Sequence, residues 1–299
     1  MREKSVVLTN GELSVSVLLP GSYSRSRYDH SGMVEQVSLG GNSFLSREQI
    51  GEGDGLGGVG LAFCFEWRDT TLHDSTAIAD LFPQLGVGLL KRTDTSPWLF
   101  TRDYPVTEFE HTVDIGESCV AVHTLPHLCR GVAVEQCRRF SLEGNSLVVT
   151  AELRNVGSAP IEAREFCHNF FRFNNRSIDQ SYRLSFPYTI LPRMRRGQIL
   201  IERDALRPGD FDAPTASTAY WLTGYEGLRE HWMKLENDET KTGVLIQDAF
   251  PIEHIYCWSN QAALCPETFV EISLAPGQSK TWRREYSFYQ LAESVRCIH

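Results

Sequence analysis

Short alternations of apolar and polar residues, each closed by turn-forming residues, recur almost from end to end of this sequence. Val6-Val7-Leu8 is followed by Asn10-Gly11 and then by Leu13, Val15 and Val17 at every second position. Asn-Gly is a strong hairpin signal, because both residues tolerate the positive φ of a tight turn. Phe109, His111, Val113 and Ile115 alternate up to Gly116-Glu117, and Val120 and Val122 resume the pattern. Phe140 and Leu142 run into Glu143-Gly144-Asn145, after which Leu147, Val149, Ala151 and Leu153 keep a period of two. Near the end, segment 269–274 precedes Ala275-Pro276-Gly277, and Trp282, Arg284, Tyr286 and Phe288 then share one face. These two segments read as the last strand pair.

Helical periodicity is scarce, and only 75–85 and 291–297 could carry a short helix. Many strands without βαβ alternation make an all-β sandwich or barrel, in which each sheet buries one face. At 299 residues the chain exceeds the usual ~100–200 per domain, but β sandwiches often run longer as one unit. Its 41% hydrophobic content is enough for one large core. No internal repeat or Pro/Ser-rich linker divides it. The glycines of 51–60 and the acidic 236–239 read as loops inside a single domain, 1–299.

A net charge of −9 speaks against nucleic acid as the partner, since no basic stripe is available to track phosphates. The run Arg193-Met194-Arg195-Arg196 reads as a solvated loop. The first residues reach Asn10-Gly11 before a signal-peptide apolar region could form, and nothing approaches the ~18 apolar residues of a membrane span. Eight cysteines contain no Cys-x-x-Cys pair, so reduced, mostly buried thiols and a cytoplasmic location are expected. No closely spaced ligand set points to a metal, and no cofactor is implied. The glycine-rich 51–60 lacks Gly-Lys-Ser/Thr and reads as a loop entering a strand at Val59, not a phosphate cradle. Neither Gly-x-Ser-x-Gly nor His-Glu-x-x-His occurs.

Two segments put titratable groups where chemistry could use them. Glu165-Phe166-Cys167-His168-Asn169-Phe170-Phe171 sets a histidine in an aromatic strand, and Cys265-Pro266-Glu267 sets a carboxylate at the mouth of a late one. Taken alone, His168 also suits a hydrogen-bonded core position and Glu267 a surface one. Asp29-His30 and Glu253-His254 are adjacent pairs whose members face opposite sides of a strand, so neither is a dyad by itself.

Further short segments, in order and at their spacing, carry a resemblance. They are Gly21-Ser22-Tyr23-Ser24, Tyr28-Asp29-His30-Ser31-Gly32, Gly57-Gly58-Val59-Gly60-Leu61, and Leu85-Gly86-Val87-Gly88-Leu89-Leu90. Leu142-Glu143-Gly144-Asn145, Cys167-His168-Asn169-Phe170, Cys265-Pro266-Glu267, and Pro276-Gly277 with Trp282 follow. Over nearly its whole length the chain resembles the aldose 1-epimerase (galactose mutarotase-like) superfamily, in its bacterial branch. The resemblance implies a large twisted antiparallel β sandwich with a sugar cleft on one sheet. It implies His168 as general acid, within the Asn-His-Ser/Asn-Tyr/Phe-Phe motif of that family, and Glu267 as the late general base.

The family's early Asn-Arg-Ile/Val and its His-Gly-Gly are both missing. The corresponding segments read Leu61-Ala62-Phe63-Cys64-Phe65-Glu66 and Gln84-Leu85-Gly86-Val87-Gly88. Contacts to the sugar then fall to candidates elsewhere: Arg27, Asp29, His30, Glu66, Lys91, Asn169 and Trp258, with Phe170 and Trp221 able to offer aromatic faces. The expected activity is interconversion of sugar anomers on a small-molecule sugar, without membrane or nucleic acid. Two alternatives stay open: a carbohydrate-binding module without catalysis, and another sugar isomerisation or elimination run by the same acid–base pair.

Overall fold

The alternating segments form strands, and their turns have the backbone that their residues suit. Gly144 takes φ 57° in the tight turn joining Val134–Glu143 to Ser146–Asn155, and these strands pair along their whole length. Gly11, at φ 101°, closes the hairpin of Ser5–Thr9 and Leu13–Leu18. His111–Ile115 pairs in the same antiparallel way with Cys119–Thr124.

The computed structural model describes residues 4–48, 57–213, 216–225 and 231–291. Among the described residues twenty-three strands build two ten-stranded sheets and a small third one. One large sheet runs, in spatial order, Ser5–Thr9, Leu13–Leu18, Met33–Leu39, Leu61–Trp67, Ile161–Asn169, Leu264–Leu274, Ile252–Ser259, Thr218–Thr223 and Leu191–Arg196, with Asn42–Ser43 on Met33–Leu39. This is the site sheet. The other, the backing sheet, has Val134–Glu143, Ser146–Asn155, Ser279–Gln290 and Thr242–Asp248 at its centre. Leu81–Gln84, Gly88–Lys91 and Val106–Glu108 form the third sheet. Every pairing in the large sheets is antiparallel, so the all-β sandwich expected from the alternation is what forms.

Three readings of the sequence need correction. The segment 75–85 is not helical: the only α-helix among the described residues is Thr71–Asp74, and Leu81–Gln84 is a strand. Its apolar residues serve the three-stranded sheet, where Phe82 packs edge-on to Trp98 and Tyr104. The run 193–196 is not a loop; Leu191–Arg196 pairs with Thr218–Thr223 as the outermost strand of the site sheet, where long polar side chains stay solvated. The strands flanking Ala275-Pro276-Gly277 do not pair with each other: Leu264–Leu274 lies in the site sheet and Ser279–Gln290 in the backing sheet, so this turn crosses the sandwich. Most of the glycine-rich 51–60 and most of 291–297 lie outside the described residues. No helix among the described residues is long and apolar enough to cross a membrane.

Between the sheets the core is apolar around a buried ionic centre. Phe44 meets Phe288 and Phe65 meets Trp282 across the gap, at 4.9 and 6.4 Å between ring centroids. At the centre, Arg138 pairs with Asp29 (2.8 Å) and Glu165 (3.2 Å), and Arg284 pairs with the other Glu165 oxygen (2.6 Å). The indole N–H of Trp282 donates to Glu165, and the Arg138 guanidinium lies 3.8 Å from the Phe63 ring centroid. These groups are shut from water, so their mutual hydrogen bonding is the condition for their burial.

One glycine in the entry to the site sheet can be nothing else. Gly60 has φ 55°, and a Cβ there would stand 1.8 Å from the Val34 carbonyl oxygen. Its N–H bonds Ser46 and its carbonyl accepts from Phe170. Gly60→Ala should lose at least ~2 kcal/mol, from backbone strain and lost pairing together. Urea unfolding checks this, and a change below about 0.5 kcal/mol would contradict the geometry.

Candidate active site on the outer face of the site sheet

Alternation along Ile161–Asn169 sorts its residues into two groups. Glu165, Cys167 and Asn169 point inward, while Arg164, Phe166 and His168 lie on the opposite, outer face. The same rule on Leu264–Leu274 puts Cys265, Glu267 and Phe269 on the outer face. The two strands are neighbours, with Phe166 opposite Phe269. Carrying that register two residues on (166 + 2 and 269 − 2) sets His168 opposite Glu267. A register, not sequence proximity, brings them together.

The pair is close and nearly dry. His168 Nδ1 and Glu267 Oε1 are 3.3 Å apart, with 7% and 2% of each residue exposed. Neither atom has an aligned hydrogen-bond partner, so two buried polar atoms face each other unsatisfied. The imidazole is fixed by rings: Phe170 stacks on it at 4.3 Å and 11°, and Trp258 stands edge-on at 5.8 Å. Burial, and then the Arg27 charge, hold the His168 imidazolium well below the usual histidine range. Burial pushes the Glu267 carboxyl well above the usual carboxylate range; Arg27 opposes that rise and Glu48 adds to it. Both shifts favour the uncharged forms, a neutral imidazole beside a neutral carboxyl.

Arg27 comes from the segment before Met33–Leu39. Its Nη1 pairs with Glu48 Oε1 at 2.5 Å, and its guanidinium lies over the rings of Tyr28 and Phe100, both at 4.9 Å. Glu48 is held in turn by the Tyr28 hydroxyl (2.9 Å) and the Gly58 N–H (3.3 Å). The Nε of Arg27 is buried without a partner. Beyond the pair, Phe166 and Phe269 stack at 4.4 Å, with Phe100 and Trp221 beside them.

The other candidates disperse. Trp258 is beside His168. Asn169 lies on the inner face, donating to the Pro266 carbonyl at 2.5 Å and accepting from Tyr286 at 3.1 Å. It clamps the Glu267 strand where proline cannot donate to the ladder, and does not face the cleft. Asp29 belongs to the ionic centre, accepting from Arg138 and Gln136. Asn169 is turned inward by the alternation of its strand, whereas Asp29 and His30 lie in the turn-rich segment before Met33–Leu39, not on a strand as expected. His30 is buried, with Nε2 bonded to the Arg25 carbonyl at 2.8 Å. Glu66 is on the outer face but pairs with Arg164 at 3.8 Å, two strand positions from Cys64. Burial raises its carboxyl, with Arg164 opposing. Lys91 is exposed on the three-stranded sheet, away from the pair. Among the described residues no group of three His, Cys, Asp or Glu could hold a metal ion.

Glu48 and Tyr28 were not singled out as site residues. Tyr28 stood inside a motif, but nothing around Glu48 in the sequence marks it: it is a lone acid before a glycine-rich stretch. Only the fold shows that it anchors Arg27.

The sequence matches no protein-family model and no curated protein. Solved structures do match. A candidate aldose 1-epimerase from Escherichia coli K12 superposes with a TM-score of 0.60 at 13% identity, over 96% of this chain and 99% of that one. A galactose mutarotase-like protein from Lactobacillus casei gives 0.58 at 12%, over 96% and 100%. An aldose epimerase homologue from Caenorhabditis elegans gives 0.57 at 10%, over 97% and 99%. Over almost its whole length, this chain has the fold of the aldose 1-epimerase and galactose mutarotase-like proteins.

Proposed function

We propose that the outer face around His168 and Glu267 binds a reducing sugar and interconverts its anomers. The observation that carries this reading is the facing pair of buried atoms, Nδ1 and Oε1, 3.3 Å apart and without another hydrogen-bond partner. Anomerisation asks for such a pair. A base removes the C1 hydroxyl proton while an acid protonates the ring oxygen; the C1–ring oxygen bond breaks as C1 becomes a carbonyl. After rotation about C1–C2 the hydroxyl attacks the other face, and both protons return. No proton is gained or lost, and no electron changes hands.

Glu267 acts as the base and His168 as the acid, as the resemblance implies. The shifts favour a proton on Glu267 over one on His168, so passing it to His168 arms the pair without exchange with solvent. Arg27, whose charge favours the Glu267 carboxylate, supports that transfer. Its buried Nε has no partner, which leaves one donor for a sugar hydroxyl, a duty the missing Asn-Arg-Ile/Val would have filled. Trp258 and Phe170 offer apolar faces to sugar C–H groups.

Saturation-transfer NMR on a panel of reducing sugars tests the reading: at least one sugar should exchange anomers faster with protein present. Binding without acceleration for every sugar would make the protein a carbohydrate-binding module instead. The pH dependence is distinctive. A second proton enters only below the lowered pKa of His168, and the last leaves only above the raised pKa of Glu267. Between those limits the pair keeps one proton, so kcat should stay level through pH 6.5, the ordinary histidine value. A single ionisation step in kcat near that pH would show an exposed, ordinary histidine at work.

A further inference from the structure

Three arginines on the edge strand of the site sheet have no place in the mechanism above. Arg193 is paired with Trp221, and Arg196 with Ala219. Trp221 and Ala219 are paired in turn with Tyr256 and Trp258, which belong to the outer face beside Glu267 and His168. Directly paired residues share a face, so Arg193 and Arg196 stand on the face of the catalytic pair. A bulge falls between Met194 and Arg196, and a bulge re-aims the residue it leaves unpaired. That residue is Arg195; burial raises the Tyr256 hydroxyl, and the charges of Arg195 and Arg196 oppose that rise. Tyr256 lies directly opposite Glu267.

The charges at the two ends of this face differ. At one end Arg68 pairs with Glu271 and Glu253, and Arg164 with Glu66, so the protein neutralises itself. At the other end Arg193, Arg195 and Arg196 have no carboxylate within ion-pair distance among the described residues, although the whole chain carries a net charge of −9. Charges that only blunt a sheet edge can point either way; Arg193 and Arg196 are placed by register on the face of the pair. Three strand spacings of ~4.8 Å separate the Glu267 strand from the arginine strand. An arginine side chain turned inward from the edge covers part of that distance, and a sugar ring with its substituent covers the rest.

We propose that the sugar handled by His168 and Glu267 carries an anionic group, phosphate, sulfate or carboxylate, at the end remote from C1, and that Arg193, Arg195 and Arg196 receive it. This rests on reading the pair as a sugar site. Guanidinium forks match the oxygens of all three anions, and phosphate gains most from several at once.

The test compares an aldohexose with its 6-phosphate, its 6-sulfate and the corresponding hexuronate, by anomer exchange and by calorimetric binding at one fixed ionic strength. At least one anionic sugar should exceed the neutral parent ~30-fold or more in kcat/KM, mainly through KM, and the ranking of the three identifies the anion. In the Arg193→Gln/Arg195→Gln/Arg196→Gln variant that ratio should shrink at least tenfold, and added salt should shrink it in the wild type. Equal or better handling of the neutral sugar by the wild type, or an unchanged ratio in the variant, overturns the proposal while leaving anomerisation intact. Arginine-dependent binding of an anionic sugar without exchange supports the proposal and removes the catalytic reading. If no anionic sugar binds in an arginine-dependent way, the proposal is wrong.

Discussion

Replacing Glu267 by glutamine should lower anomer exchange ~10²-fold or more while sugar affinity changes little. Glutamine keeps the shape and a carbonyl oxygen 3.3 Å from where His168 Nδ1 lies, but it cannot take or pass a proton. Because burial pushes the carboxyl toward its neutral form, the substitution removes little charge, so folding should be spared. That makes the variant a clean probe: saturation transfer reads turnover, calorimetry reads binding, and thermal unfolding reads the fold. His168→Asn should behave alike, with the Phe170 stack lost. Exchange at the wild-type rate in Glu267→Gln, in protein that still binds sugar, would end the assignment of Glu267 as base.

The largest effect on stability is expected at Glu165, one turn of the pleat behind the site. Its two oxygens hold Arg138 and Arg284 where no water reaches. Removing one member of a buried ionic group strands its partners, which typically costs 3–5 kcal/mol. Glu165→Gln should therefore fall in that range by urea denaturation, far more than Glu267→Gln. The burial of Asp248 against Arg284, with its carboxyl pushed up to about 6, means that it can supply only part of the missing charge. A loss under about 1 kcal/mol would show that the arginines find other partners.

The sheets were legible because alternation and turn chemistry are local. Leu147, Val149, Ala151 and Leu153 declare a strand wherever they sit, and Glu143-Gly144-Asn145 declares its hairpin. What was hidden is non-local. Nothing in 275–277 says that the chain there leaves one sheet for the other, since a turn to a partner strand and a turn across the core use the same residues. The arginines at 193–196 looked like a loop because an edge strand, wet on its free side, loses the apolar beat that marks inner strands. His168 and Glu267 were legible only through resemblance; their meeting depends on the pairing of Phe166 with Phe269. Asp29 and Asn169 were drawn toward the sugar by proximity to motif residues, although the period of two turns Asn169 inward and the turn before Met33–Leu39 gives Asp29 to Arg138. Arg284 did carry a usable sign: a charge in the apolar row Trp282, Tyr286, Phe288 must have a buried counter-charge.

The crowding of two tasks on Ile161–Asn169 has a consequence for how such a chain can change over generations. Alternate residues serve the ionic centre and the chemistry, so deleting one residue would turn Glu165 outward and His168 into the core in a single step. Fold and catalysis would be lost together, and no path of partial function leads through such a change. Leu191–Arg196 is under no such constraint. It has a neighbour on one side only and most of its side chains are in solvent, so its residues can be exchanged one at a time at little risk to the fold, changing which sugar is held. A lineage built on this sheet would keep its chemistry near the middle and diversify from the margin inward.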